Sequence, residues 1–77
     1  MDEQHRALRA QLSRMAPARA IAYIQSFDLP ADEAACLVEC DVRRRSCVQA
    51  AEKLNMSVDG FNKMRRRAYC KVVDGMN

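Results

Sequence analysis

The sequence predicts an all-α fold, a compact bundle of four to five short helices with a C-terminal helix-turn-helix. Three observations carry that reading. Only two glycines and two prolines interrupt 77 residues. Apolar residues recur every three or four positions, and no alternating β-branched run appears. Residues 46–67 read as two short helices over a tight turn, and the second of them is heavily basic. Hydrophobic residues at 49% and charged residues at 30% suit a folded domain rather than a disordered tail. A chain of this length buries only roughly 60–65% of the surface it exposes when unfolded, so its core is modest. Aromatics are scarce, and Leu, Ala, Met, Val and Cys must supply that core.

One domain is expected over 1–77, with 1–28 as an N-terminal helical extension and 29–73 as the helix-turn-helix part. Residues 2–15 place Leu8, Leu12 and Met15 on one helical face. Asp2 and Glu3 near the start and Arg14 near the end suit the helix dipole. Pro17 ends this helix and fits the first position of the next. Residues 17–27 carry Ile21, Ile24 and Phe27 as an apolar stripe beside Ala20 and Tyr23. Asp28-Leu29-Pro30 is a turn, with Pro30 expected at the first helical position and Asp32 and Glu33 in the first turn. The helix 30–41 is apolar around much of its girth through Ala34, Ala35, Cys36, Leu37, Val38 and Cys40, which marks it as central. Asp41-Val42-Arg43-Arg44-Arg45 links it to Ser46.

Ser46 and Gln49 form a capping box, in which the Ser46 hydroxyl accepts from the first turn and Gln49 reaches back to the Ser46 backbone. Ala50, Ala51 and Leu54 share a face. Asn55 tolerates the left-handed backbone that ends a helix and stands where glycine is usual. Met56 is a buried turn residue, and Ser57 a second N-cap. Phe61, Met64 and Ala68 give the final helix one apolar stripe. Ala51 is the small side chain required where two helices cross closely, and Leu54, Met56, Phe61 and Met64 clamp the pair. The final helix is expected from Val58 to Val73, ended by Asp74-Gly75.

Charge is divided along the chain. Residues 1–41 hold four basic side chains against seven acidic ones, whereas residues 42–73 hold nine against two. Positive charge packed into the helix-turn-helix half is what a phosphate-binding surface requires. Cys36, Cys40, Cys47 and Cys70 match no zinc-module spacing and read as small buried thiols rather than ligands or a disulfide framework. His5 is the one histidine, near a fraying end; no carboxylate pair faces a pocket, and no catalytic residue, metal or cofactor is expected. No run approaches the roughly 18 apolar residues of a membrane span, and no signal segment opens the chain, so a cytoplasmic protein is expected.

The order of these parts resembles the C-terminal helix-turn-helix domain (region 4) of bacterial sigma factors. The resemblance covers roughly residues 29–72. It rests on Leu29-Pro30-Ala31-Asp32-Glu33, the central apolar helix, Gln49-Ala50-Ala51-Glu52-Lys53-Leu54, the Met56-Ser57 turn and the Arg65-Arg66-Arg67-Ala68 helix. It implies a final helix in the major groove of promoter DNA and RNA polymerase as a further partner. Residues 1–28 hold no counterpart of the family's other promoter-reading domain.

A sequence-specific transcription regulator that binds double-stranded DNA through helix 58–73 is therefore expected. The first turns of such a helix read base edges. Val58 would meet a thymine methyl, Asp59 accept from cytosine, Asn62 pair with adenine, and Lys63 or Arg66 pair with guanine. Ser57, Gln49, Arg45, Arg65 and Arg67 would contact phosphates, which fix register without carrying sequence information. Leu8, Leu12, Met15, Ile21 and Ile24 would build either a homodimer interface or an extra core layer. The alternative function is a protein-interaction module that reuses the same fold. Tyr23 and Tyr69 are too isolated to form a base-stacking platform for single strands.

Overall fold

The computed structural model describes residues 3–76, and Asp2, expected at the head of the first helix, lies outside them. Five α-helices follow in order: α1 (Glu3–Arg14), α2 (Pro17–Gln25), α3 (Ala31–Leu37), α4 (Cys47–Lys53) and α5 (Val58–Met76), with a π-helical turn (Val38–Val42) continuing α3. No strand occurs among the described residues.

α1 buries His5, Leu8 and Leu12, spaced i, i+3, i+7. His5, expected near a frayed end, is thus part of the packed stripe. Pro17 opens α2, whose Ala20 and Ile24 are buried, and Asp28 at φ 56 turns the chain toward α3. Pro30 is the N-cap of α3 rather than its first residue, one position off the expected start.

The largest departure lies at the end of the central helix. Instead of running regularly to residue 41, it widens, with the Arg43 amide donating to the Val38 carbonyl (2.9 Å) and the Arg45 amide to that of Glu39 (3.0 Å). The wide turn buries Glu39, Cys40 and Asp41 in succession. Their side chains point in different directions, and α1, α2 and α4 pack around the turn to cover them. Arg44, at φ 58, then redirects the chain into α4.

The α4–α5 connection follows the local signals closely. The Gln49 amide donates to Ser46 Oγ (3.1 Å), and the Ser46 amide to Gln49 Oε1 (3.2 Å), which completes the capping box. Asn55 adopts φ 57, the Met56 amide bonds the Ala51 carbonyl and the Asn55 amide that of Glu52. These are the paired bonds of a Schellman end. Ser57 caps α5 by accepting from the Gly60 amide (3.0 Å).

α5 does not stop at Val73. It continues through Asp74 and Gly75, where a Cβ would lie 2.7 Å from Cδ1 of the Phe27 ring. Gly75 serves close packing rather than termination. At 19 residues, α5 is about 28 Å long and spans nearly the whole 30 Å of the molecule. It joins two apolar clusters. One gathers Leu8, Leu12, Ala20, Ile24, Leu37, Ala68, Tyr69, Val72 and Val73; the other gathers Cys36, Cys40, Ala50, Ala51 and Phe61, flanked by Leu54, Met56 and Met64. Leu8, Leu12 and Ile24, offered by the sequence for a dimer interface or a core layer, are buried within the chain's own core, and Met15 packs against them. These residues contribute to a core layer, and Ile21 is half-buried.

Candidate nucleic-acid interface

α5 has two opposed faces. Phe61, Arg65, Ala68, Tyr69, Val72 and Val73 point inward, while Asp59, Asn62, Lys63, Arg66, Arg67, Cys70 and Lys71 are exposed. The exposed set follows the i, i+3, i+4, i+7, i+8 rows of one helix face. Lys63, Arg66, Arg67, Cys70 and Lys71 line a shallow groove of about 420 Å³. Four cations thus stand on a stripe about 12 Å long, at 1.5 Å per residue. Two are partly neutralised: Lys63 Nζ lies 3.2 Å from Asp59 Oδ2, and Lys71 Nζ donates to Glu33 Oε2 at 2.7 Å.

The expected site residues divide by environment. Val58, Asp59, Asn62, Lys63, Arg66 and Arg67 share the solvent face of α5, with Val58 40% exposed. Ser57 and Gln49 are exposed, yet each already serves as a cap partner, Ser57 for α5 and Gln49 for α4. Arg45 is half-buried, with Nε 2.7 Å from Glu39 Oε2, and faces a different cleft, formed with Arg9, Ser13, Cys40, Asp41 and Arg44.

Arg65 requires a correction. Expected at the phosphates, it is only 6% exposed. Its Nη2 donates to Asp41 Oδ1 (3.1 Å), its Nε to the Tyr69 hydroxyl (3.0 Å) and its Nη1 to Cys47 Sγ (3.6 Å), and its Cζ lies 5.1 Å from the Tyr69 ring centroid. The Tyr69 hydroxyl donates in turn to Asp41 Oδ2, and Arg9 Nε approaches Oδ1 at 3.5 Å. Asp41 is 2% exposed, so its charge is admissible only because these donors surround it. Burial, then the Asp41 carboxylate, pushes the Tyr69 phenol far above its ordinary range. Arg65 therefore ties the π-helical turn to α5 and is removed from the exposed face of that helix.

The sequence reading missed Lys71, Cys70, Asp41 and Arg9. Extending the period of Lys63 and Arg67 by one turn reaches Lys71, so that signal was present. Nothing local marked Asp41, whose burial depends on the widened turn. Cys36 and Cys40 are buried thiols as expected, Cys47 is half-buried, and Cys70 is exposed beside His5, its Sγ 3.6 Å from Nε2. The His5 ring itself packs 5.3 Å from that of Tyr69. Among the described residues no group of three or more His, Cys, Asp or Glu side chains is arranged to hold a metal ion, and no helix is long and apolar enough to cross a membrane. Compared with known proteins, the chain matches no family model, no curated protein and no solved structure.

Proposed function

We propose that α4, the Leu54–Ser57 turn and α5 act as a helix-turn-helix, and that the protein is a transcription regulator binding double-stranded DNA in the major groove. The observation that supports this best is the segregation of α5. Its inward face is fixed by two apolar clusters and the Arg65–Asp41 pair, while its outward face carries Lys63, Arg66, Arg67 and Lys71 in consecutive rows. A rigid helix with a cationic outer face suits a groove walled by phosphates. Asn62, Lys63 and Arg66 are the side chains assigned to base edges; Arg67, with Ser57 and Gln49, is assigned to the backbone. Release of the Lys63–Asp59 bridge would accompany binding and free Asp59 to accept from cytosine. A module this small makes few contacts, so docking on RNA polymerase, the partner that the sigma-factor resemblance implies, would add affinity.

The protein-interaction alternative draws on one feature, Val48, which stands 60% exposed on α4. A salt titration separates the two readings. Binding to random-sequence duplex DNA should weaken steeply with salt; the Lys63→Ala/Arg66→Ala variant should lose affinity, and Arg67→Ala, which removes an assigned phosphate contact, should flatten the log–log slope by roughly one unit. A folded wild-type protein that ignores duplex DNA at low salt would overturn the DNA reading and turn the search to protein partners, polymerase first.

A further inference from the structure

We propose that the cleft between α1 and the Arg43–Arg45 segment is a second site, one that binds a phosphate group. The cleft encloses about 340 Å³ and is lined by Arg9, Ser13, Cys40, Asp41, Arg44 and Arg45, none of which belongs to the α5 stripe. Three guanidinium groups reach it from two elements; Arg44 is held by a hydrogen bond, and Arg9 and Arg45 by ion pairs. Arg9 Nε lies 3.5 Å from Asp41 Oδ1, Arg44 Nη2 donates to the Ser13 carbonyl (3.2 Å), and Arg45 Nε lies 2.7 Å from Glu39 Oε2. A guanidinium carries five N–H donors in a rigid fork, so anchoring one nitrogen fixes the direction of the others.

Charge around the cleft is unbalanced in favour of an anion. Asp41 and Glu39 are the two carboxylates beside it, and both are engaged. Asp41 binds Arg65, Tyr69 and Arg9, while Glu39 is shared by Arg43, Arg45 and Lys53 at 3.8, 2.7 and 3.9 Å. Three cations, Arg9, Arg44 and Arg45, thus line the cleft against one carboxylate, Asp41, in a chain whose net charge is only +3. The backbone adds a second indication. Arg44 holds φ 58, a conformation in which glycine is free of strain and a long side chain is not. The fold keeps an arginine there, and its guanidinium crosses to α1. Forks converging from different directions suit a tetrahedral oxyanion with several acceptor oxygens. The volume accommodates a phosphate together with the first atoms of whatever bears it. The bearer is either a nucleic-acid strand or a free phosphorylated small molecule.

Backbone amide shifts followed through a titration with inorganic phosphate, with chloride holding ionic strength constant, test the site. Saturable shifts at Ser13, Arg44 and Arg45 are expected. Arg44→Gly should weaken phosphate binding by about tenfold or more, with a circular-dichroism melt confirming that the strain-free glycine leaves the fold intact. Lys63→Ala/Arg66→Ala should leave phosphate affinity unchanged. Competition between phosphate and duplex DNA, with a salt slope lowered by about one unit in Arg44→Gly, would identify a strand phosphate. Simultaneous binding of both would identify a free phosphorylated ligand. No saturable shift at the cleft beyond the chloride control, or shifts confined to α5 that survive Arg44→Gly, would overturn the proposal. A protein that fails to bind DNA yet shows these cleft shifts would lose the function proposed above and keep this site.

Discussion

Arg65 offers the sharpest test of how this chain is assembled. Replacing it with alanine removes a buried guanidinium and leaves the Asp41 carboxylate, 2% exposed, with the Tyr69 hydroxyl and a more distant Arg9. Breaking a buried ion pair by deleting one partner costs about 3–5 kcal/mol, because the surviving charge stays uncompensated. At 0.05–0.15 kcal/mol per residue, a chain of this length has a total stability of roughly 4–12 kcal/mol. Arg65→Ala should therefore remove about a quarter of it or more. With a urea m-value near 1–2 kcal/mol per molar, the unfolding midpoint read by circular dichroism should fall by at least about 1.5 M. Arg66→Ala, one residue away and exposed, should stay within about 0.5 kcal/mol of wild type. The double variant Asp41→Asn/Arg65→Met should be less damaged than the sum of its single changes by about 1 kcal/mol or more, since the two side chains touch. A stability for Arg65→Ala within about 1 kcal/mol of wild type, combined with weaker DNA binding, would refute this account and return Arg65 to the surface.

Two further perturbations probe the turn and the thiols. Asn55→Gly should match or exceed wild-type stability in urea, whereas Asn55→Ala should lose about 1 kcal/mol, because φ 57 penalises a Cβ without asparagine's local compensation. Burial, reinforced by Asp32, pushes the Cys36 thiol up to about 11 from an ordinary 9.0. The unfolded chain then gives up this proton at lower pH than the fold does, so stability should hold below about pH 9 and fall between pH 9 and 11. Cys36→Ala should lessen that slope. A disulfide-exchange reagent at pH 8 should label exposed Cys70 first and Cys36 last, and equal rates would contradict the burial pattern.

Much of this structure was legible because its determinants are local. The Ser46–Gln49 box needs residues three apart, and the Asn55 turn needs one residue that accepts a left-handed backbone. The α5 stripe needs only a period of 3.6. What escaped depended on contacts distant in sequence. Phe61 and Ala68 bracket position 65 on the inward face, so the phase of the helix did point Arg65 inward. An arginine can occupy such a place only with a buried carboxylate, and Asp41, 24 residues away, becomes that carboxylate through a widened turn with no sequence signature. Gly75 misled for a similar reason, since its missing side chain answers the Phe27 ring rather than the end of α5.

The larger apolar cluster has a consequence for how the chain acquires its shape. It sets Leu8 and Leu12 of α1 against Tyr69, Val72 and Val73 of α5, and residue 5 touches residue 70. During synthesis from the N-terminus, α1 leaves the ribosome with its apolar side uncovered and waits for α5, made some fifty residues later, before it can be fully enclosed. The four-residue turn between α4 and α5 closes within one short span, but α5 gains its backing only when that last segment folds back on the first. The surface proposed to meet DNA is therefore among the final features of the molecule to become rigid, and an interrupted chain lacking α5 would expose part of the apolar face of α1.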